Sequence, residues 1–371
     1  MHQRANGLRI GFAFNLKPTD DVRASVLYES LRENPPVLDS SDTNGNGGQI
    51  DFSDMYAEWD DDETIDAIEA ALSQIGEVIR LEADSEFPAK LQAEKPDIVF
   101  NFAEGMGGAS REGHVPAFCE FWGIPYTGSD PLTMGICLDK ARAKETLIHH
   151  GIPTPEFQAV ESPEEIRRSI ELPAIVKPLH EGSSKGITQR SFCATWPDVE
   201  AEVARVVERY NEPAIIERFL SGREFTVAVL GNDGDGRVLP IVELDYGKLP
   251  EGIHPVYGFE SKWIWDRPEE PLEIFRCPAR CTPELQHRIE AIAMAAFRSL
   301  RCRDWARIDV RCDEDENPHI LEINPLPGVI PNPDENSSYP KAARAAGLTF
   351  DDVIHSVLRA AAARYELKVP V

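Results

Sequence analysis

The sequence predicts an α/β protein, because strand-length runs alternate with a helical stretch at the start of the chain. Leu8 to Phe14, Val78 to Glu82 and Asp97 to Phe102 are short runs rich in apolar residues. Between the first two of them, apolar residues recur at helical spacing at Ile65, Ile68, Leu72 and Ile75. This order favours a parallel sheet covered by helices.

The later elements continue the mixed pattern. Helices are predicted at Phe87 to Leu91, Val115 to Trp122 and Asp139 to His150. Further predicted elements are the strands Ala174 to Lys177, Ala214 to Glu217, Phe225 to Leu230 and Val238 to Val242, and the helices Pro197 to Tyr210, Pro283 to Leu300 and Phe350 to Tyr365. For 371 residues, this predicts domains at 1–135, 136–224 and 225–371.

Composition restricts the partners of the protein. The chain is 42% hydrophobic and 27% charged, with a net charge of -26. Such an acidic chain is not expected to bind nucleic acid or anionic membranes. No stretch of about 18 apolar residues occurs and the N-terminus lacks an apolar leader, which predicts a cytoplasmic protein. The seven cysteines have no metal-binding spacing, which indicates free thiols.

Residues 34–63 differ from the rest of the chain. They contain a Gly/Asn/Ser cluster, and seven carboxylates lie between Asp51 and Glu63 with no Lys or Arg. Such a segment cannot form a core, so we expect a mobile acidic insertion. Asp42 to Asp54 approach the pattern of a calcium-binding loop, but one extra glycine breaks its register, which makes calcium binding the weaker alternative.

A β-hairpin near the C-terminus predicts a metal site. Strand-like runs flank the polar turn at Asp313 to Pro318. Pairing about this turn places Asp309 opposite Leu321 or Glu322, and the alternation of side chains puts Asn324 on the face of Glu322. Two carboxylates and an amide then converge, as magnesium prefers. The alternative is a solvated acidic rim.

Two further segments predict a nucleotide site. The strand ending at Lys177 leads into a donor-rich loop, Glu181 to Gly186, whose glycines and serines could hold phosphate. Residues 215–225 then form an apolar linker that could read an adenine edge, with Glu224 accepting from ribose hydroxyls. The alternatives are a surface turn and a salt-bridged hinge, and Lys140 and Lys262 are either further cations of the site or surface lysines.

Taken in order, these motifs resemble the ATP-grasp superfamily, and most closely the D-alanine–D-alanine ligase family. The resemblance runs from about Asp97 to Leu358 and includes 125–129 (PYTGS), 175–178 (IVKP), 181–184 (EGSS), 307–309 (RID) and 322–324 (EIN). It implies the ATP-grasp fold, with three α/β domains and ATP held between the central and C-terminal ones.

The resemblance also implies roles for individual residues. The implied ATP-binding residues are Lys140, Lys177, Glu181, Gly182, Ser183, Ser184, Glu217, Phe219, Leu220, Glu224 and Lys262. The implied ligands of two Mg²⁺ ions are Asp309, Glu322 and Asn324, and the implied catalytic residues are Arg307, Ser183 and Lys262. The implied reaction is ATP-dependent ligation of two amino acids through an acyl phosphate, with release of ADP and phosphate.

The substrate-binding part departs from the family pattern. The glutamate that the family carries after its first strand is absent from residues 12–17, Trp263 replaces a tyrosine and Glu104 replaces a histidine. Residues 329–333 lack the hydroxyls expected for the second substrate. We therefore predict a rewritten amino-acid site, which the following residues would form: Glu104, Arg111, Glu112, Trp263 and Gly328.

Three functions remain open at this point. The first is a D-alanine–D-alanine ligase-like enzyme, for which the resemblance also suggests a homodimer and a role in peptidoglycan precursor synthesis. The second is a ligase for a different amino acid or dipeptide product. The third is a nucleotide-responsive binding protein without turnover.

Overall fold

The computed structural model describes residues 7–17, 56–232, 234, 236–249, 252–259 and 272–369. Within these ranges the chain forms three sheets with helices packed on them, which confirms the predicted α/β class. None of the helices in these ranges has the length and apolar character needed to cross a membrane.

The first sheet is parallel, as predicted, with strand order β2-β1-β3. Its strands are β1 (Arg9–Phe14), β2 (Glu77–Glu82) and β3 (Ile98–Phe102). The helices of this part are α1 (Asp62–Ser73), α2 (Phe87–Glu94), α3 (His114–Trp122), α4 (Pro131–Leu138) and α5 (Lys140–His149). The sequence did not predict α4, although its start is marked by Asp130, which caps Thr133 N, and by a proline in the first turn.

The second sheet is antiparallel, with order β4-β7-β5-β6. Its elements are β4 (Phe157–Val160), β5 (Ala174–Pro178), β6 (Phe192–Cys193), α6 (Trp196–Tyr210) and β7 (Ala214–Arg218). Lys177 lies near the end of β5, and Glu217 lies on the neighbouring strand β7. Their side chains can therefore meet across the sheet.

The third sheet is also antiparallel, with order β11-β10-β8-β12-β13, and β9 pairs with β8. Its elements are β8 (Glu224–Leu230), β9 (Arg237–Val238), β10 (Val242–Leu244), β11 (Phe275–Arg276), α7 (Pro283–Ser299), β12 (Trp305–Cys312) and β13 (Pro318–Asn324). The predicted single strand at 238–242 is wrong, because the chain breaks there into β9 and β10. Pro240 lies at the break and has no N–H to donate to a strand partner.

The last helices return to the first sheet. They are α8 (Ser338–Ala345) and α9 (Phe350–Arg364), and their apolar residues share one core with β1, β3 and α1. Tyr339 adds a hydrogen bond from its hydroxyl to Val229 O at 2.9 Å. The first and third predicted domains thus share a core, and the boundaries at 135 and 224 remain a prediction.

The end of the predicted acidic insertion is packed, which differs from the expectation for residues 34–63. Asp61 caps α1 by accepting from Thr64 N at 2.9 Å. Trp59 Nε1 donates to Gly105 O at 3.2 Å, and the Glu58 side chain is only 9% exposed. Residues 34–55, including the calcium-binding alternative at Asp42 to Asp54, lie outside the described residues.

Candidate active site

A cleft of about 310 Å³ is lined by residues of the second and third sheets. The predicted site residues that line it are Glu104, Lys177, Glu181, Gly182, Ser183, Ser184, Glu217, Phe219, Leu220, Glu224, Arg307, Asp309, Glu322, Asn324 and Gly328. The structure therefore brings most of the predicted residues together. Lys140, Arg111 and Glu112 lie outside the described lining of the cleft, and Lys262 and Trp263 lie outside the described residues.

The β12–β13 hairpin forms the acidic wall of the cleft. Asp309 is paired with Glu322 and Arg307 with Asn324, which confirms the predicted convergence of these side chains. Arg307 Nη2 lies 3.0 Å from Asp309 Oδ2 and 3.9 Å from Glu322 Oε1. On its other side, Asp309 Oδ1 accepts from Thr226 Oγ1 at 2.9 Å. The guanidinium of Arg307 thus sits close to both carboxylates.

Burial and neighbouring charges shift these carboxylates in opposite directions. Burial raises the pKa of Asp309 above its usual value, and the repulsion from Glu322 adds to burial while Arg307 opposes it. Burial would also raise the pKa of Glu322, but Lys140, Arg307 and Lys177 together outweigh burial and lower it. Glu322 is the more firmly ionised partner of this coupled pair.

The donor set of the hairpin fits a hard divalent cation. Asp309, Glu322 and Asn324 offer oxygen atoms from one wall of the cleft. The described residues hold no cluster of three His, Cys, Asp or Glu side chains suited to a metal, so two carboxylates and one amide are the set available. Arg307 Nε is buried and makes no hydrogen bond within the described part of the chain, and the Arg307 side chain lines the cleft.

Two lysines hold Glu217 from different elements. Lys177 Nζ lies 2.7 Å from Glu217 Oε2, and Lys144 Nζ lies 3.1 Å from Oε1. Lys144 Nζ also donates to Thr154 Oγ1 at 2.9 Å. Glu217 Oε1 is itself buried, so the carboxylate is enclosed between the two lysines at the edge of the cleft.

Lys144 was not predicted from the sequence, although it is 1% exposed and central to this cluster. Its spacing of four residues from Lys140 along α5 was the available signal, because such residues share a helix face. Burial lowers the pKa of Lys144 to about 8 against the attraction of Glu217. Burial would raise the pKa of Glu217, but Lys144 and Lys177 outweigh burial and lower it to about 2.

A lysine outside the described lining of the cleft holds the predicted phosphate loop, residues 181–186. Lys140 Nζ donates to Glu181 O at 2.5 Å, so this lysine positions the loop instead of lining the cleft. Ser183 and Ser184 adopt φ values of 49° and 61°, a left-handed turn that non-glycine residues rarely adopt. Ser184 Oγ donates to Tyr257 O at 2.9 Å and so connects the loop to the predicted third domain, residues 225–371.

His180, just before the phosphate loop, was also not predicted. Its ring nitrogens lie 3.2 Å from Glu212 Oε2 and 3.5 Å from Asp139 Oδ2. Burial alone would lower the pKa of His180, but the hydrogen bonds to Asp139 and Glu212 outweigh burial and raise it to about 9. The protonated ring therefore links the start of α5 to the strand that carries Lys177.

The end of the cleft predicted to bind amino acids contains an unpredicted carboxylate, Glu58. Arg111 Nη2 donates to both oxygens of Glu58, at 2.9 and 2.8 Å, and Gly182 N donates to Glu58 Oε1 at 2.7 Å. Glu58 lines the cleft, whereas Arg111 stands behind it and also contacts Glu181 Oε2 at 3.2 Å. Nothing in the local sequence signals this placement, because it depends on how the acidic segment folds back.

The predicted group of Glu104, Arg111 and Glu112 is therefore only partly brought to the cleft. Glu104 lines it, and burial followed by repulsion from Glu112 raises its pKa well above the usual value. Burial followed by repulsion from Glu58 raises the pKa of Glu112 to about 8. Two carboxyl groups in this region are thus biased toward their neutral forms.

Hydroxyl groups do reach the far end of the cleft, which differs from the expectation for residues 329–333. Ser337 and Ser338, at the start of α8, line the cleft near Gly328. Ser337 Oγ lies 3.3 Å from Ile330 N and 3.5 Å from Gly328 O. These serines follow the loop 325–336, a few residues beyond the positions 329–333 where hydroxyl groups were expected.

We predict that His180 stabilises the protein in a pH-dependent way. Because its pKa is raised to about 9 from an ordinary 6.5, the stabilisation is complete below about pH 6.5 and is lost as the pH rises through about 9. His180→Asn should therefore lower the free energy of unfolding at neutral pH and have little effect above pH 9. Urea unfolding across this range measures the difference, and Glu200→Gln at the exposed pair with Arg168 is the control. A constant difference at all pH values would contradict the assignment.

Comparisons with known proteins show the family to which this chain belongs. Residues 147–359 match the family model for the D-ala D-ala ligase C-terminus. The uncharacterised protein y4sG of Sinorhizobium fredii is 34% identical over 83% of this chain and 90% of its own length. The D-alanine–D-alanine ligase of Bordetella avium is 34% identical over 71% of this chain and 78% of its own length.

A solved structure shows the same fold. The D-alanine–D-alanine ligase of Bacillus anthracis complexed with ATP superposes with a TM-score of 0.64 at 20% identity, over 97% of this chain and 99% of that one. This likeness shows the fold, and the curated relatives show the family. The chain has the ATP-grasp fold and belongs to the D-alanine–D-alanine ligase family of ATP-dependent ligases that form C–N bonds.

Proposed function

We propose that this protein joins two amino acids by activating the carboxylate of the first as an acyl phosphate. D-alanine, named for the relatives, is the first candidate substrate, and a different amino acid or dipeptide product is the alternative. The observation that carries the proposal is a single cleft lined both by Lys177 and the phosphate loop and by Arg307, Asp309 and Glu322.

The chemistry requires both halves of this cleft. A free carboxylate is a poor electrophile, so its oxygen first attacks the terminal phosphorus of ATP and ADP leaves. The amine of the second amino acid then attacks the acyl carbon, the C–O bond to phosphate breaks and inorganic phosphate leaves. The protein has to align these groups and neutralise charge. Arg307, a cation that lines the cleft beside Asp309 and Glu322, is a suitable donor to the oxyanion.

The nucleotide half uses the positive and apolar groups of the cleft. Lys177 would contact phosphate oxygens, and the phosphate loop would close over them with Ser183 and Ser184. Phe219 and Leu220 would line the adenine, beside Glu217. Lys140 would act by holding the loop, and Lys262 remains a predicted phosphate contact outside the described residues.

The hairpin would hold the metal. Asp309, Glu322 and Asn324 would ligate two Mg²⁺ ions, which when bound would neutralise phosphate oxygens. Since Arg307 lies 3.0 Å from Asp309, its guanidinium offsets part of the repulsion within the acidic pair.

The end of the cleft that would bind the amino acids offers one carboxylate, Glu58, to the ammonium group of the first amino acid. Glu58, held by Arg111 and Gly182 N, would receive the amino group of the first amino acid and supply the carboxylate missing from residues 12–17. Glu104 would lie beside it. Ser337 and Ser338 would hold the carboxylate of the second amino acid near Gly328. Trp263, a homodimer, a cytoplasmic location and a role in peptidoglycan precursor synthesis remain predictions from the family resemblance.

We predict that phosphate release from ATP and Mg²⁺ requires amino acids. A panel of single amino acids and pairs, in both chiralities, is mixed with the protein, and released phosphate is measured together with the dipeptide product. Release with D-alanine alone identifies the first candidate, and release with another amino acid identifies the alternative ligase. Tight ATP binding without release under every condition would instead select a nucleotide-responsive binding protein.

We predict that Asp309→Asn lowers turnover by several orders of magnitude and weakens the dependence on Mg²⁺, because one anionic ligand is lost while the shape is kept. Turnover is measured across a magnesium titration, and thermal unfolding confirms that the fold is retained. Asp315→Asn, in the exposed turn of the same hairpin, is the matched control. Near-normal turnover of Asp309→Asn at low magnesium would contradict the metal assignment.

We predict that Glu58→Gln raises the KM of the first amino acid by roughly 10-fold or more, because a charge-assisted hydrogen bond to its ammonium is weakened. Arg111→Ala should raise the same KM by removing the group that orients Glu58. Glu63→Gln, exposed in the same segment, should change nothing. An unchanged KM in both Glu58→Gln and Arg111→Ala would show that the amino acid binds elsewhere.

A further inference from the structure

A buried arginine lies in the cleft beyond the groups discussed so far. Arg311 lies on β12, two residues after Asp309, and is 5% exposed. It lines the cleft together with Glu224 and Phe219. Burying a guanidinium is costly unless its charge is paired, so the contacts of Arg311 indicate what its position serves.

Arg311 is directly opposite Glu224 across the β12–β8 ladder. Its Nη1 donates to Glu224 Oε2 at 2.7 Å and to Pro255 O at 2.9 Å. Its guanidinium carbon lies 4.5 Å from the ring centre of Phe219 and 5.3 Å from that of Tyr246. Two aromatic rings and two acceptors therefore hold the guanidinium in one orientation.

The carboxylate of Glu224 is oriented in turn. Tyr246 donates its hydroxyl to Glu224 Oε2 at 2.8 Å, the same oxygen that Arg311 contacts. No donor among the described residues reaches Oε1. Because both partners converge on one oxygen, the other is left as an acceptor for a molecule in the cleft.

The charge of Arg311 supports the same role. Burial raises the pKa of Glu224, and the nearby positive charge of Arg311 opposes burial. Removing Arg311 would remove this opposition and raise the pKa of Glu224 further, toward a neutral carboxyl that can donate as well as accept.

We propose that Arg311 is a positioning residue that aims Glu224 Oε1 at a ribose hydroxyl and so sets a preference for ribonucleotides over deoxyribonucleotides. The inference rests on the proposed function, because it requires a nucleoside triphosphate in this cleft. A site that presents a buried, charged acceptor to a hydroxyl rejects an analogue that lacks the hydroxyl, since the acceptor is then left unpaired.

The test compares ATP with 2′-deoxy-ATP and 3′-deoxy-ATP. Dissociation constants are measured by calorimetry with Mg²⁺ and without amino acids, so that binding is separated from turnover. The wild-type protein is expected to bind ATP roughly 10- to 100-fold more tightly than at least one deoxy analogue. Arg311→Met, which keeps an unbranched side chain but removes the guanidinium and its charge, should weaken ATP binding and bring that ratio close to 1.

Further variants separate positioning from stability. Glu224→Gln should lose the same preference, and the double variant should lose no more, because the two residues act through one contact. Arg311→Lys should recover part of the preference. Arg364→Met is the matched control, because Arg364 also pairs with a buried carboxylate, Asp304, at 2.7 Å and lies over a ring, Tyr365, but stands outside the described lining of the cleft. Its ratio should equal that of the wild type.

The outcomes distinguish this inference from the proposed function. An unchanged ratio in Arg311→Met, tighter ATP binding by that variant, or no preference in the wild type would overturn the role of Arg311. A wild-type protein that binds no nucleotide would refute both proposals. If Arg311→Met loses the preference for ATP over the deoxy analogue but no amino acid triggers phosphate release, the positioning role of Arg311 is supported and the ligase function is refuted.

Discussion

The repulsion between two carboxylates in the cleft organises much of the structure around it. Asp309 and Glu322 face each other on adjacent strands, an arrangement that is unfavourable unless positive charge is nearby. Arg307 lies beside both of them, while Lys140 and Lys177 lower the pKa of Glu322 from other elements. The acidic wall therefore depends on cations from two other elements, Lys177 of the second sheet and Lys140 of α5.

A second set of buried ion pairs fixes the orientation of two carboxylates at the end of the cleft where we propose that ATP binds. Glu217 is held by Lys177 and Lys144, and Glu224 by Arg311 and Tyr246. Glu217 has a lysine at each oxygen, whereas both partners of Glu224 contact Oε2. Buried ion pairs contribute little net stability, so these pairs are better understood as fixing acceptors in place. Preorganised acceptors bind a ligand without the cost of ordering side chains.

The parts of the site that the sequence predicts are those encoded by local pattern. The register of Asp309 and Glu322 follows from a short polar turn and from the alternation of strand residues, and the structure confirms it. The same alternation would have placed Arg311 on the face of Asp309. Glu58, Ser337 and Ser338 could not be found in this way, because each reaches the cleft through a loop whose path depends on tertiary packing. The fold was more accessible, although the helix at Pro131–Leu138 and the break at Pro240 were missed.

The two ends of the cleft are therefore under different physical constraints. At the nucleotide end, strands carry the charged residues, and a change in any of them disturbs a buried partner. At the substrate end, Glu58 comes from the segment before α1, Glu104 from the loop after β3, and Ser337 and Ser338 from the start of α8. Loops can exchange a side chain at little cost to the core. A new amino-acid preference can thus arise by rebuilding this end, while the buried charges at the end where we propose that ATP and metal bind stay as they are.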